Sequence, residues 1–373
     1  MQKIRVGITG QAGFVGTHLF NYLGIFKEQF ERIPFEDSYF DNAEKFNDFL
    51  SQCDVIVHLA ALNRHSDPGE IYSKNIELTE KLITGLEKAD KFPHIIFSSS
   101  TQEDLDNVYG KSKKKCRALL INWAKQNKSG FTGMVIPNVF GPFGAPFYNS
   151  VVSTFSYQIT HNEAPKIEID KNLELIYVNN LLKRITGIIL NKIYNDEYRI
   201  EYDFESKVTD ILKKLNYYYS SYFSNNILPC LENDNDIALF NTLRSYIDYD
   251  LLLRNIDKKE DNRGFLTEII KTNTKGQSFF SSTKPGIVRG NHYHLRKIER
   301  FSVIQGNAVI RLRKIGTATV REYKVSGEKP SFIDIPIWHT HNIENTGKGE
   351  LLTLFWSNEI FNTEDSDVYY EEV

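Results

Sequence analysis

The chain has 373 residues, and its 45 Lys and Arg against 48 Asp and Glu leave a formal net charge of −3, so neither nucleic acid nor an anionic membrane is favoured electrostatically. Its length suits two or three domains with their own cores. Cys53, Cys116 and Cys230 are too few and too scattered for a disulfide framework. With neither a secretory pattern at the N-terminus nor an apolar run of roughly 18 residues, a cytoplasmic location is expected.

Residues 3–9 form a strand-like run that enters Gly10-Gln-Ala-Gly13-Phe-Val-Gly16, and residues 17–23 read as a helix. Glycine in such a loop serves a tight turn, close approach to a pyrophosphate, and helix-on-strand packing. The helix N-terminus then offers free N–H groups to phosphates. Strand and helix patterns alternate onward: 54–60 strand, 71–91 amphipathic helix, 94–97 strand closing on Ser98, Ser99 and Ser100, 108–126 helix, 132–136 strand. This order predicts an α/β doubly wound parallel sheet with ligands at the carboxyl ends of its strands.

Tyr109 and Lys113 lie four residues apart and share one helix face. A neighbouring ammonium is expected to lower the phenol pKa, letting it exchange a proton near neutral pH. Ser100 can bond the same substrate oxygen, with Thr101 in reserve. Lys111, Lys113, Lys114, Lys115 and Arg117 otherwise read as a solvated face. For the ribose end of a dinucleotide, Arg32, Glu36 and Asp37 supply both signs of charge without a clear strand end.

Pro137 to Ser150 reads as a loop turning into a helix near Val151; on loop chemistry alone its Asn138, Tyr148 and Asn149 suit ordinary turn polarity. A strand then leads into a helix across residues 174–180. Helices over 208–223 and 234–249 are rich in aromatics and are expected to pack on the sheet domain. The stretch 251–262 reads as the passage to a second domain.

From Gly264 the pattern becomes short alternating strands, near 265–271, 277–282, 299–304, 308–313 and 319–325, which fits an antiparallel barrel. Within it, His292 and His294 alternate by two, and Glu299 and His341 follow. Two imidazoles on one strand face, a carboxylate and a third imidazole suit zinc or a similar first-row divalent ion. Glu268 and Lys271 could point into the mouth. His339 is a spare imidazole, either a base or an exposed strand residue.

The first half resembles the extended short-chain dehydrogenase/reductases, which act largely on nucleotide sugars. That resemblance implies a nicotinamide cofactor, NADP(H) or NAD, at Gly7, Gly10, Gly13, Phe14, Val15, Gly16, His58, Ala60, Tyr109 and Lys113. It implies a catalytic trio of Ser100, Tyr109 and Lys113, and contacts from Asn138, Tyr148 and Asn149 to the sugar or uridine of a substrate. Thr101-Gln102 stands where the family's dehydratases have Asp-Glu, so reduction is expected rather than dehydration. Gly286, His292, His294, Glu299 and Gly306 match the first cupin motif; Pro336, His341 and Asn345 match the second, with Trp338 in place of its glycine.

Taken together, a reductase over 1–250 followed by an all-β cupin barrel over 251–373 resembles the CapF-type bifunctional enzymes of capsular-polysaccharide synthesis. The resemblance implies a homodimer acting on a UDP-2-acetamido-2,6-dideoxy-4-hexulose. C3 epimerisation would belong to the cupin domain and NADPH-dependent C4 reduction to the first, giving UDP-N-acetyl-6-deoxy-L-talosamine. Val135-Ile136 replaces the family's Arg-Trp, removing a substrate-facing charge. A reductase whose cupin is a structural or dimerisation module is the alternative, and a cofactor-binding sensor a third.

Overall fold

A computed structural model describes residues 2–255, 259–261, 264–266, 270, 276–359 and 362–373. Glu268 and Lys271 lie outside them. The elements begin β1 (Ile4–Thr9), α1 (Phe14–Leu23), β2 (Phe30–Ile33), α2 (Ala43–Gln52), β3 (Val55–His58), α3 (Pro68–Ala89), β4 (His94–Ser100), α4 (Val108–Asn127) and β5 (Phe131–Ile136). They continue β6 (Asn138–Phe140), α5 (Val151–Thr160), β7 (Asn172–Tyr177), α6 (Val178–Leu190), β8 (Asn195–Arg199) and β9 (Phe204–Lys207). Two compact units result, the first comprising Met1–Phe140, Gly144–Ser150 and Lys171–Ser206.

The first unit is the expected doubly wound fold. Six parallel strands run in the order β2-β1-β3-β4-β5-β8. Phe46, Phe49 and Leu50 of α2, Leu82 and Leu86 of α3, and Leu120 and Trp123 of α4 pack with Ile56, Ile95 and Phe97 in one buried cluster. Each such side chain contributes about 1.5–3 kcal/mol by leaving water. α1 packs on α6 instead. Caps set the long helices: Asp67 accepts from Gly69 N–H before Pro68 opens α3, and Asn107 accepts from Gly110 N–H at the head of α4.

The second unit takes Gly141–Phe143, Val151–Asp170 and Lys207–Val373. After α7 (Val208–Tyr219), a π-turn (Ser220–Ser224) and α8 (Asp234–Arg244) come β10 (Leu253–Asn255), β11 (Lys259–Asp261), β12 (Gly264–Leu266), β13 (Gln277–Thr283), β14 (Val288–Tyr293) and β15 (Glu299–Gln305). Then follow β16 (Asn307–Lys314), β17 (Val320–Ser326), β18 (Ser331–Ile335), β19 (His339–Asn345), β20 (Leu351–Ser357) and β21 (Tyr369–Tyr370). They build two five-stranded antiparallel sheets, β10-β18-β15-β20-β13 and β17-β16-β19-β14-β21, and a separate β11-β12 pair.

α7 and α8 do not pack on the parallel sheet as the sequence suggested; they belong to the second unit. The reason is a buried ion pair. Arg300 and Asp334 are fully buried and joined at 2.7 and 3.0 Å, and such a pair needs further donors to offset its desolvation. The Tyr222 hydroxyl, just beyond α7, donates to Asp334. Arg244 of α8 donates to the Ile335 carbonyl at 2.6 Å, and Asn241 to that of Arg296 at 3.1 Å.

Trp338 keeps the turn that its missing glycine put in question. Its φ is +58°, the left-handed region, which costs a non-glycine residue roughly 1–2 kcal/mol. The indole is buried and stacks on Tyr293 at 5.8 Å, offsetting that cost. Trp338→Gly and Trp338→Ala should both lower the unfolding free energy, with the alanine variant worse by about 1 kcal/mol because it retains the strain without the packing. Equal stabilities in chemical denaturation would contradict this account.

Candidate functional sites

In the first unit, Gly10 takes φ +71°, and a Cβ there would approach Ala60 N to 2.8 Å. A Cβ on Gly16 would run into the Gly10 carbonyl. Gly13 is the N-cap of α1 and supplies no capping side chain, so the first N–H groups of that helix, at Phe14 and Val15, have no side-chain cap. Gly7 has a packing reason of its own: the space of its absent side chain is filled by Phe49 and Cys53. His58 ends β3 with Nδ1 2.6 Å from Thr9 Oγ1, while its buried Nε2 has no hydrogen-bond partner. Burial, with Lys113 adding to it, pushes His58 down to about 3, so it is neutral.

The three serines ending β4 divide their work. Ser98 donates to the His58 carbonyl at 3.1 Å, Ser99 donates to Glu103, and Ser100 accepts from Gln102 N–H at 3.2 Å. Glu103 in turn receives Arg117 at 2.6 Å, which ties the strand end to α4. A Cβ on Gly110 would clash with the Gln102 carbonyl, so this strand end is pressed against the first turn of α4 beside Tyr109. Asn75 of α3 adds a second tie, donating to Ser112 at 2.9 Å and accepting from Leu62 N–H at 2.7 Å.

Tyr109 and Lys113 occupy one face of α4, as expected, but the electrostatics differ from expectation. Lys113 is buried, not part of a solvated face; its ammonium sits 4.4 Å from the Phe97 ring centroid. Burial pushes its pKa down to about 8, against Cys116 and Glu103. Burial pushes the Tyr109 phenol up, with Tyr148 and Cys116 adding to it, so in this state the phenol is raised and not lowered. Desolvation is the largest cause of that rise.

That influence of Tyr148 brings the candidate substrate loop next to Tyr109. Tyr148 and Asn149 are exposed, whereas Asn138 donates to the Glu174 carbonyl at 3.0 Å and joins β6 to β7. Arg64, which the sequence reading missed, is exposed and donates to the Phe147 carbonyl at 3.3 Å. Arg32 is engaged within its own neighbourhood. Its guanidinium packs over Phe20 at 4.5 Å and donates to the Phe20 carbonyl at 3.2 Å. Glu36 lies past the end of β2, where Phe35 N–H donates to Gln11 of the glycine loop at 3.0 Å.

In the second unit the predicted ligands converge. His292, His294, Glu299 and His341 present one ligand atom each, all within 4.8 Å of one another. A bulge at Gly290–Asn291 sets the register of β14, and both residues take positive φ. Glu299 Oε2 lies 3.0 Å from His294 Nε2 and 3.6 Å from His341 Nε2. The other nitrogens of those two histidines face backbone carbonyls, His294 Nδ1 that of Asp367 at 2.6 Å and His341 Nδ1 that of His339 at 3.2 Å. Donating there leaves both Nε2 lone pairs turned inward.

Charge fits this reading. Burial opposes ionisation of Glu299, but His294 and His341 hold it well below the ordinary carboxylate range. Burial likewise opposes charge on His294, yet Glu299 keeps it raised. Burial pushes His292 down to about 3. His341 Nε2 is buried without a hydrogen-bond partner, an orphan that a cation at the centre would satisfy. His339 is buried, not exposed: Nδ1 lies 2.9 Å from the Ile337 carbonyl and Nε2 2.5 Å from the Tyr249 hydroxyl.

A proton held on His294 must leave before a metal binds, so affinity for zinc or cobalt should rise with pH through that raised pKa and fall below it. Competition titrations against a chelator should show one metal per chain and proton release on binding. Affinity that stays flat between about pH 5 and pH 8 would contradict this.

Two family models match the chain: NAD dependent epimerase/dehydratase family over residues 6–196, and Polysaccharide biosynthesis C-terminal domain over 259–369. A curated relative from Pseudomonas aeruginosa, UDP-2-acetamido-2,6-beta-L-arabino-hexul-4-ose reductase, is 29% identical over 371 residues, 98% of each chain. The crystal structure of capsular polysaccharide assembling protein CapF from Staphylococcus aureus is 33% identical, with a TM-score of 0.62 over 99% of this chain and 100% of that one. The structure of RMD from Pseudomonas aeruginosa complexed with NADPH shares the fold, at 19% identity and a TM-score of 0.52, over 58% of this chain and 83% of that one. Among the described residues no helix is long and apolar enough to cross a membrane. The chain belongs to the NAD dependent epimerase/dehydratase family and, along nearly its whole length, to the family of CapF.

Proposed function

We propose that the chain is a bifunctional UDP-sugar enzyme of capsule or O-antigen precursor synthesis. Its cupin domain, the β-rich part of the second unit from Leu253 on, epimerises a UDP-2-acetamido-2,6-dideoxy-4-hexulose at C3, and its reductase domain, built on the first unit, reduces the C4 ketone, giving UDP-N-acetyl-6-deoxy-L-talosamine. We take it to work as a homodimer; a single-chain mass in light scattering would remove that part. One observation carries the reading: a helix carrying Tyr109 and Lys113, a glycine loop leading into a helix with no side-chain cap, and a four-ligand cluster occur in one chain.

In the reductase domain, Gly10, Gly13 and Gly16 with the head of α1 would hold the pyrophosphate, and His58 and Ala60 would border the cofactor. When bound, the nicotinamide supplies the hydride that C4 accepts. Tyr109 donates its proton to the C4 oxygen, which suits a phenol that burial keeps protonated. Lys113, at about 8, is poised to hold charge beside it and to bond the ribose. Ser100, whose oxygen accepts from Gln102 N–H, donates its own hydroxyl proton to the ketone oxygen, and the exposed Tyr148 and Asn149 would contact the sugar.

In the cupin domain, His292, His294, Glu299 and His341 would hold zinc. A bound divalent ion would supply charge stabilisation to the oxygen of a deprotonated C3–C4 enolate. The C4 ketone acidifies the C3 proton, so removal and return on the opposite face inverts that carbon. A second reading makes this domain a structural module, and it is favoured by His339, whose two nitrogens are both engaged.

NADPH is the proposed cofactor; NADH is the alternative, favoured by the engagement of Arg32 with Phe20. With a UDP-4-keto-6-deoxy-HexNAc, NADPH should be oxidised only when the ketosugar is present. Tyr109→Phe should lower that rate by roughly 10²–10⁴-fold with little change in KM. An unaltered rate in Tyr109→Phe would remove the proton-donor assignment, and faster turnover with NADH would reverse the cofactor assignment.

A further inference from the structure

His294 and Glu299 are joined by a short turn, and the residue that shapes that turn comes from some seventy positions further along the chain. The N–H groups of Leu295, Arg296 and Lys297 all donate to the Asp367 carboxylate, at 3.1, 3.0 and 2.9 Å. The main-chain carbonyl of the same residue faces His294 Nδ1 at 2.6 Å. Asp367 is 3% exposed and takes φ +47°, a conformation that Asp tolerates better than most residues.

Three consecutive amides around one carboxylate form an anion-binding nest. Here the nest is part of the turn, so the carboxylate fixes the spacing between two of the four candidate ligands. The carbonyl fixes the tautomer and ring plane of one of them, the second-layer arrangement that metal-binding histidines depend on. Neighbouring contacts hold the segment in place. β21 pairs with β14 through His292↔Tyr370 and Tyr293↔Tyr369, Glu371 N–H donates to the Asn291 carbonyl at 2.9 Å, and Lys297 Nζ donates to the Ser366 carbonyl at 2.5 Å.

We propose that Asp367 is a positioning residue of the metal site, holding His294 and the turn before Glu299 in ligating geometry, so that the C-terminal segment is part of the metal centre. This rests on the reading of His292, His294, Glu299 and His341 as ligands. It predicts that affinity depends on a residue that never touches the ion.

The test is chelator competition for Zn²⁺ and for Co²⁺ on the full chain, read beside the cobalt visible spectrum. Asp367→Gly keeps the left-handed backbone and deletes the carboxylate; Asp367→Asn keeps one acceptor oxygen. Asp365→Ala removes the exposed Arg296 partner next to it as a control. The dissociation constant should rise about 10- to 100-fold in Asp367→Gly with a shifted cobalt spectrum, rise less in Asp367→Asn, and stay within about twofold in Asp365→Ala.

A folded Asp367→Gly chain with wild-type affinity and spectrum would overturn the proposal. If that variant does not fold, wild-type affinity in Asp367→Asn does the same. A fall in the melting temperature of the metal-free variant with affinity unchanged would show a merely structural role and also overturn it. A wild-type chain that takes up no stoichiometric metal would overturn the ligand reading together with this one, an outcome separable from the others because it appears without any substitution.

Discussion

Glu299 sits half-buried beside three imidazoles, within 3.0 Å of one Nε2 and 3.6 Å of another. A buried polar group left unmatched costs about 1–3 kcal/mol, and a buried charge more, so such a cluster persists only when its surroundings hold it. Much of the second unit serves that end. The bulge in β14, the strained turn at Trp338 and the carbonyls of His339 and Asp367 each fix one ligand or the segment next to it. Even so the cluster is incomplete, because His341 Nε2 remains unmatched. The orphan nitrogen, the low carboxylate pKa and the convergent ligand atoms are what a divalent cation would complete.

The first unit shows the same logic at lower charge. His58 Nε2 is buried and unmatched, Lys113 is buried against an aromatic ring with its pKa at about 8, and the head of α1 lacks a side-chain cap. Around this gap the chain is tightly braced. Glu103 and Arg117 tie the end of β4 to α4, Asn75 ties α3 to it, and the glycines at 10, 16 and 110 allow backbones to meet where any side chain would collide. Rigid surroundings with open polar groups at the centre are the arrangement that positions a cofactor and a ketone for proton and hydride transfer.

Short-range chemistry was legible in the sequence. The glycine loop, the four-residue step from Tyr109 to Lys113, and the His292–His294–Glu299 spacing each lie within a few residues of chain. Long-range partnerships were not. Asp367 stands far from His294 in sequence, and nothing local marks it as its partner. α7 and α8 looked like ordinary aromatic helices, and it is the bonds of Tyr222 to Asp334, Arg244 to the Ile335 carbonyl and Asn241 to the Arg296 carbonyl that tie them to the second unit. Arg32 carried the right charge for a phosphate, but the nearby Phe20 ring takes its guanidinium. The phenol of Tyr109 was misjudged because spacing reveals the neighbouring ammonium and hides the burial.

Under the proposed function, the His292–His294–Glu299–His341 cluster exchanges the C3 proton independently of the reductase residues. The most direct measurement is deuterium content at C3 of the ketosugar, read by NMR after incubation in deuterated water without any nicotinamide. The account predicts uptake by the intact chain and by Tyr109→Phe, and its loss in His341→Ala at equal amounts of folded protein. Uptake that survives in His341→Ala, or vanishes in Tyr109→Phe, would contradict it.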